Sequence, residues 1–378
     1  MSDWQPQIVK IETVKHHPDA DALDVATVLG DYPVIVKRDE YKVGDLAGYI
    51  PIDSIVPDTE QFYFLCPKLY EKHEDGTQTQ LGPKYQVGQV PEKYRIIKAK
   101  KIRGVYSQGM LVPFLEEWRM PEAFRHMLDG VPLYNHEMIG QSIVDLIGLK
   151  KWEESEEENL PGLKKTGTNA EKPPQGWAMP HYDVDGIRKY VECLQPNEEI
   201  VLTEKIHGSN GGFCHDGTRL WVKSRNFYKK QDEDDMWWDI ALRYDLATKL
   251  AQFTNLVWYG EVYGQVKGFR YDSIIEGGRL LSRVRFFDIW DVKNMRYLDY
   301  DDFVVMVKAA GLEQAPELYR GPWKSKEEMY PYAEGTSTLN PKHVREGWVL
   351  RTVKERYEPK LDSRMQVKLV GEGYNLKK

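Results

Sequence analysis

The chain has 378 residues, enough for about two or three domains. Its 52 Lys and Arg against 59 Asp and Glu leave a formal charge of −7, which excludes a polycation that coats nucleic acid by charge alone but leaves room for a local basic groove. With 41% apolar and 12% aromatic residues, sizeable cores are expected and bulk disorder is not.

In chain order, residues 8–113 read as β-rich. Short runs such as Ile8-Val9-Lys10-Ile11, Val34-Ile35-Val36 and Ala47-Gly48-Tyr49-Ile50 are separated by Pro, Gly and Asp, the rhythm of a small barrel. The stretch 57–93 interrupts it, and the polar segment 71–82 reads as a loop inserted between strands. Phe114, Trp118, Phe124 and Met127 recur near helical spacing and predict a helical patch. The run Glu153-Glu154-Ser155-Glu156-Glu157-Glu158 and the Gly-, Pro-, Thr- and Lys-rich residues after it read as an interdomain linker, with a solvated charged helix end as the alternative. The expected division is 1–150, a linker at 151–178, and 179–378.

The second half reads as mixed α/β. Asp183 or Asp185 is placed to cap a helix carrying Ile187, Tyr190, Val191 and Leu194 on one face. Residues 201–207 alternate like a strand. A long amphipathic helix is predicted over 234–253, with Trp237-Trp238 packing its core side. Further strands are predicted at 256–259, 284–289, 347–352 and 365–370. There is no Walker A or Rossmann glycine pattern.

Cys66, Cys193 and Cys214 lie far apart without a Cys-x-x-Cys pair, which argues against a disulfide framework or a cysteine zinc site. No apolar run reaches the roughly eighteen residues that a spanning helix needs. Met1-Ser2-Asp3-Trp4 offers neither a basic nor an apolar leader region. A soluble, cytoplasmic monomer without a membrane partner is expected.

The segment that carries chemistry is Glu204-Lys205-Ile206-His207-Gly208-Ser209-Asn210. Strand alternation places Thr203, Lys205 and His207 on one face, and Gly208 turns the chain so that Asn210 folds back toward it. A lysine and a histidine beside a glycine turn suit an amine that attacks a phosphate. Neutralising a lysine of pKa about 10.4 at pH 7 costs roughly 4.6 kcal/mol. The site is therefore expected to lower that pKa by desolvation and neighbouring cations. In order there follow Lys223-Ser224-Arg225-Asn226, Tyr259-Gly260-Glu261-Val262-Tyr263-Gly264, Phe286-Phe287-Asp288-Ile289, Glu346-Gly347-Trp348-Val349-Leu350-Arg351 and Gln366-Val367-Lys368-Leu369-Val370.

With these segments in order, the chain from about residue 180 resembles the covalent nucleotidyltransferase superfamily of ligases and RNA capping enzymes, through motifs I, Ia, III, IIIa, IV and V. His207 stands where DNA ligases and capping enzymes usually carry Asp, and this form looks most like the RNA ligase 2 group. The resemblance implies that Lys205 attacks the α-phosphate of ATP and holds AMP. It implies that Glu204, His207 and Asn210 flank the nucleotide, that Arg225 contacts its sugar or phosphate, and that Glu261 binds the ribose. Phe287 would stack on adenine, with Phe286 as its rival. Glu346 would help bind Mg²⁺ or Mn²⁺, and Lys368 would bind the α-phosphate and stabilise transition-state charge. One position departs from the usual Lys-x-Lys of motif V: Gln366 holds the first lysine's place, with Arg364 on the same face as a substitute cation.

The N-terminal segments His17-Pro18-Asp19-Ala20-Asp21-Ala22-Leu23-Asp24-Val25 and Ile102-Arg103-Gly104-Val105-Tyr106-Ser107-Gln108-Gly109-Met110-Leu111 look like the tRNA-binding OB domains appended to synthetases. The same template explains His16-His17 better than a metal site does. The basic run Lys93, Arg95, Lys98, Lys100, Lys101 and Arg103 suits a groove that tracks a nucleic-acid backbone, and Lys98, Lys100, Lys101 and Arg103 are its RNA-binding candidates. The resemblance thus implies an α+β protein: an N-terminal OB-fold β-barrel, then an adenylyltransferase domain (ATP-grasp-like ligase) with antiparallel sheets and flanking helices. Its implied activity is ATP-dependent joining of RNA 3′-OH and 5′-phosphate ends, as in nick sealing or RNA repair, with a nicked duplex among the candidate substrates. A DNA ligase or capping-type nucleotidyltransferase, and a non-catalytic RNA- or tRNA-binding protein, are the alternatives.

Overall fold

The computed structural model describes residues 4–73, 78–113, 138–152, 170–172, 182–225, 227–232, 235–264, 271, 274–276 and 279–377. The chain divides into two compact units, Ser2–Glu153 and Glu154–Lys378. The predicted helical patch at 114–127 and the glutamate run at 153–158 lie outside the described residues. No helix among the described residues is long and apolar enough to cross a membrane.

In the first unit, Gln7–Lys10 and Met110–Pro113 flank Leu46–Ile50 in one antiparallel sheet. Thr13–His16, Leu23–Val28 and Tyr32–Lys37 form a meander beside it. Strict alternation in Leu23–Val28 buries Asp24, Ala26 and Val28. The Asp24 carboxylate is satisfied inside by His16 Nδ1 at 2.8 Å and by the Asp39 amide at 2.9 Å. His17 is engaged by its own turn: it accepts from the Asp19 amide at Nδ1 and reaches the Ile102 carbonyl with Nε2, at 3.1 and 3.0 Å.

The segment expected to be an inserted loop instead contains a hairpin, Lys68–Lys72 paired with Gln78–Pro83. Its apolar side chains stay outside, Leu81 being 60% exposed. Backbone pairing, not apolar burial, makes it a hairpin, and a composition reading sees only burial.

The second unit is built on two large sheets, with two short two-stranded hairpins, Ile274–Glu276 with Arg279–Leu281 and Tyr357–Glu358 with Ser363–Arg364, besides. One has seven strands, in the order Ala170–Glu171, Tyr228–Lys229, Leu220–Ser224, Ser209–His215, Leu256–Tyr263, Arg283–Asp291 and Arg296–Tyr297. The other has five: Asp185–Gly186, Gln366–Val370, Gly347–Thr352, Glu199–Lys205 and Glu317–Pro322. All their pairings are antiparallel except the first of the five-stranded sheet. Phe213, Trp237, Trp258, Phe286 and Phe303 lie in one core, and Ile200, Leu202, Trp348, Leu350 and Val367 in another.

Three expectations change. The helix predicted after Asp183 is two 3-10 turns, Ile187–Lys189 and Val191–Cys193, because Asp185 and Gly186 pair with Val367 and Lys368 and leave too short a stretch to nucleate a helix. The long helix breaks into Met236–Arg243 and Leu246–Leu250 at Asp245, whose φ of 50° is left-handed. Asp235 caps the first piece by accepting from the Trp237 and Trp238 amides, and both tryptophans are buried as expected. The strand read as 256–259 runs on to Tyr263, since pairing on both sides carries it through Gly260.

Candidate active site

A cavity of about 360 Å³ opens in the second unit, within the size range of small-molecule sites. Glu204, Lys205, His207, Asn210, Arg225, Glu261, Phe287 and Lys368 all line it. Lys205 ends the Glu199–Lys205 strand, opposite Gly347. Gly208 lets the chain cross closely to the Leu256–Tyr263 strand: a Cβ there would lie 2.4 Å from the Val262 carbonyl oxygen. That crossing sends Ser209–His215 into the other sheet, where Asn210 sits opposite Glu261.

Lys205 Nζ donates to Glu346 Oε1 at 2.6 Å. The second carboxylate oxygen, Glu346 Oε2, is buried without a hydrogen-bond partner. Desolvation opposes the charge on Lys205, but the carboxylates of Glu346 and Glu261 outweigh it, so its pKa is held above the ordinary value. The expected depression is therefore reversed: in this geometry two acids crowd the amine, and Arg225 is the cation that acts against them. Burial pushes the Glu261 carboxyl up to about 8, aided by the charge of Glu346 and opposed by Lys205.

Glu204 is 2% exposed, and both of its oxygens are engaged. It accepts from the Ser337 hydroxyl at 2.5 Å, the Thr338 amide at 2.8 Å and the Thr338 hydroxyl at 2.5 Å. The His207 amide donates to the Tyr271 hydroxyl at 2.7 Å, and its Nδ1 lies 2.5 Å from the Tyr374 hydroxyl. Arg225 pairs with Asp183 at 3.4 Å on the rim. Lys368 sits opposite Val349 in the five-stranded sheet.

A bulge selects between the two phenylalanines. Tyr259 pairs with Asp288 and the next residue, Gly260, pairs with Phe286, so Phe287 is the extra residue. It turns to the cavity and packs on Tyr182 at 4.9 Å between ring centroids, while Phe286 is wholly buried in the core.

Residues 198–370 match the family model for RNA ligase, and residues 6–114 match that of an OB-fold domain. The chain thus carries an RNA ligase domain behind an OB-fold domain. Among solved structures, a variant of the Naegleria gruberi RNA ligase with ATP and Mn is 20% identical, covers 99% of each chain and gives a TM-score of 0.72. A variant with AMP and Mn gives 19% identity and 0.72, again over 99% of both chains. The same ligase with PPi gives 21% and 0.70, over 99% of this chain and 98% of that one. The likeness shows the fold, an OB-fold domain followed by a ligase domain of mostly antiparallel sheets. No curated protein matches the chain.

In the RNA ligase domain, Arg364 does not replace the missing lysine of motif V. Its guanidinium is taken up by Asp288 and Glu355. Asp288 also accepts from Arg351 Nη1 at 3.0 Å and from the Tyr182 hydroxyl at 2.8 Å. Gln366 completes this cluster by donating its amide to the Tyr182 oxygen at 2.7 Å. With two guanidiniums already sharing Asp288, a neutral amide fits position 366 better than a third cation. Tyr182 and Arg351 line the cavity without announcing themselves in the sequence: Tyr182 borders a stretch without periodicity, and Arg351 reads as an ordinary strand end.

The OB-fold unit carries the predicted RNA-binding residues. Lys98, Lys100, Lys101 and Arg103 are exposed on and beside the Lys100–Ile102 and Val105–Ser107 hairpin. Arg103 donates to the Asp19 carbonyl at 2.6 Å. Arg95, from the same basic run, is structural, donating to the Val90 and Val56 carbonyls at 3.0 and 2.6 Å.

Proposed function

We propose that this ligase joins RNA 3′-OH and 5′-phosphate ends in three ATP-dependent steps through AMP on Lys205. The observation that carries this is the Lys205 amine at the cavity wall, ion-paired at 2.6 Å to a buried glutamate, with Phe287, Arg225 and Lys368 lining the same space. A solved relative of the same fold is named with ATP and Mn, and with AMP and Mn.

Lys205 Nζ, once it has given up a proton, bonds to the α-phosphorus while the bond to the leaving pyrophosphate breaks. An RNA 5′-phosphate oxygen then takes the AMP and frees Lys205. Finally the 3′-hydroxyl oxygen bonds to the 5′-phosphorus and AMP leaves. Phe287 stacks on the adenine, Glu261 holds the ribose, and Arg225, His207, Asn210 and Lys368 face phosphate. Glu204, with both oxygens engaged, braces the wall beside the nucleotide. A divalent ion fits Glu346, whose buried Oε2 lacks a partner, and Mg²⁺ or Mn²⁺ there would neutralise phosphate charge. Of the groups around Lys205, Glu346 and Glu261 favour its charge and Arg225 opposes it, so Arg225 assists the loss of the proton that precedes attack.

Residues 1–150 would grip RNA through Lys98, Lys100, Lys101 and Arg103, residues 151–178 would link, and residues 179–378 would perform the chemistry. A nicked duplex is the substrate we favour, and the protein would act as a cytoplasmic monomer. Its three cysteines, all free and buried, suit a reducing compartment.

Incubation with α-³²P-labelled ATP and Mg²⁺, followed by a denaturing gel, tests this. Wild type is expected to carry label and Lys205→Ala none. Label retained by Lys205→Ala would remove the nucleophile assignment. An unlabelled wild type with no bound AMP by mass spectrometry would favour an RNA-binding protein without catalysis.

A further inference from the structure

We propose that Tyr374 is a positioning residue that sets the tautomer and aim of His207. This rests on the reading above, in which His207 faces phosphate.

Tyr374 comes from the C-terminal turn Glu372–Asn375, 167 residues from its partner, yet it is only 5% exposed. Its hydroxyl lies 2.5 Å from His207 Nδ1, and the two rings are 5.8 Å apart at 51°. Three contacts bring it there. The Gly371 amide donates to the Glu346 carbonyl at 2.9 Å, and a Cβ on Gly371 would stand 2.7 Å from the Ala333 carbonyl oxygen, so the chain folds back closely at this point. The Glu334 carboxylate then accepts from the Glu372 amide at 2.6 Å and the Gly373 amide at 3.2 Å, holding the start of the turn. Packing alone would be served by phenylalanine. The hydroxyl, aimed at a ring nitrogen in a buried place, needs another reason.

That reason is the phosphate. With the phenol donating to Nδ1, the imidazole proton stays on Nε2, a buried atom of a residue that lines the cavity, and Nε2 becomes the N–H donor offered to a phosphate oxygen there. The His207 amide is held from the other side by Tyr271. Main chain and ring of His207 thus have separate tyrosine partners, Tyr271 for the amide and Tyr374 for Nδ1. The same turn is tied to the main chain of Glu346, so one C-terminal element braces both the phosphate-facing histidine and the acidic partner of Lys205.

The test uses full-length Tyr374→Phe, His207→Ala and the double variant in single-turnover assays of Lys205 adenylylation and of AMP transfer to an RNA 5′-phosphate. Tyr374→Phe is expected to slow the affected step roughly fivefold to thirtyfold, the size of one hydrogen bond, without changing the ATP concentration dependence. In the His207→Ala background it should add nothing, because its effect runs through that ring. Independently of activity, histidine ring nitrogen spectra of ¹⁵N-His-labelled protein should show one pinned tautomer for His207, averaged in Tyr374→Phe. Wild-type rates in Tyr374→Phe, a loss that multiplies with His207→Ala, or unchanged His207 nitrogen signals would each overturn the assignment. An unlabelled wild type would bring down the ligation reading instead, and the nitrogen signals would still decide whether Tyr374 holds the ring.

Discussion

Lys205 and Glu346 are 141 residues apart in the chain, yet their side chains meet at 2.6 Å. The pairing of Glu199–Lys205 with Gly347–Thr352 brings them together, with Lys205 in register with the glycine that follows Glu346. The glutamate is both an acid that favours the charge on the lysine and a residue with a buried oxygen, Oε2, that lacks a hydrogen-bond partner. Glu346→Gln is therefore expected to free the amine without making a better enzyme. Loss of the site for a divalent ion should lower Lys205 adenylylation by about a hundredfold or more, and excess Mn²⁺ should not restore it. Rates of label incorporation across a metal titration check this, and full rescue by Mn²⁺ would count against Glu346 as a ligand.

Gln366 stands where the related motif carries lysine, and restoring that lysine is expected to harm. Gln366→Lys adds a cation beside Arg351 and Arg364, which already share Asp288, and removes the amide that donates to Tyr182. A loss of about 1–3 kcal/mol in urea unfolding and a slower adenylylation are expected. Asp288→Ala should be worse, by about 3–5 kcal/mol, because it leaves two buried guanidiniums without that partner. A faster, equally stable Gln366→Lys protein would contradict the account of the cluster.

The adjacent phenylalanines should separate cleanly in mutation. Phe287→Ala removes a cavity wall and is expected to raise the KM for ATP about tenfold, with little change in stability. Phe286→Ala opens a hole in the core and should cost about 3–5 kcal/mol, with KM unchanged in the protein that remains folded. The opposite pattern would mean that the bulge aims the other ring at the nucleotide.

In the OB-fold unit, combined Lys98→Ala, Lys100→Ala and Lys101→Ala is expected to weaken RNA binding and flatten its salt dependence, by about 0.7–0.9 in log–log slope for each phosphate no longer neutralised. Adenylylation of Lys205 in the absence of RNA should be unchanged. Binding measured by fluorescence anisotropy at several salt concentrations decides this, and an unaltered slope would place the RNA-binding surface elsewhere.

Much of the site is legible in the sequence because its motifs are local. Glu204 to Asn210 lie within one strand and turn, and residues 347–352 form a strand with the bounds that their pattern predicts. The seven-residue spacing of that first motif, the glycine beside it and the order of the later segments are chain properties that survive any packing. A linear pattern does not carry which distant groups meet. Whether Phe286 or Phe287 faces the nucleotide depends on a bulge set by pairing with Tyr259 and Gly260. Whether Arg364 can stand in for a lysine depends on Asp288, 76 residues away. The charge on Lys205 departs from expectation for the same reason: its pKa follows the two carboxylates that crowd it, Glu261 and Glu346, and both arrive from distant parts of the chain. Short-range spacing determines which residues can do chemistry, because strand alternation and turns act over a few residues. Register and packing decide their charge, aim and partners, because electrostatic and hydrogen-bond energies depend on separation in space and are blind to separation along the chain.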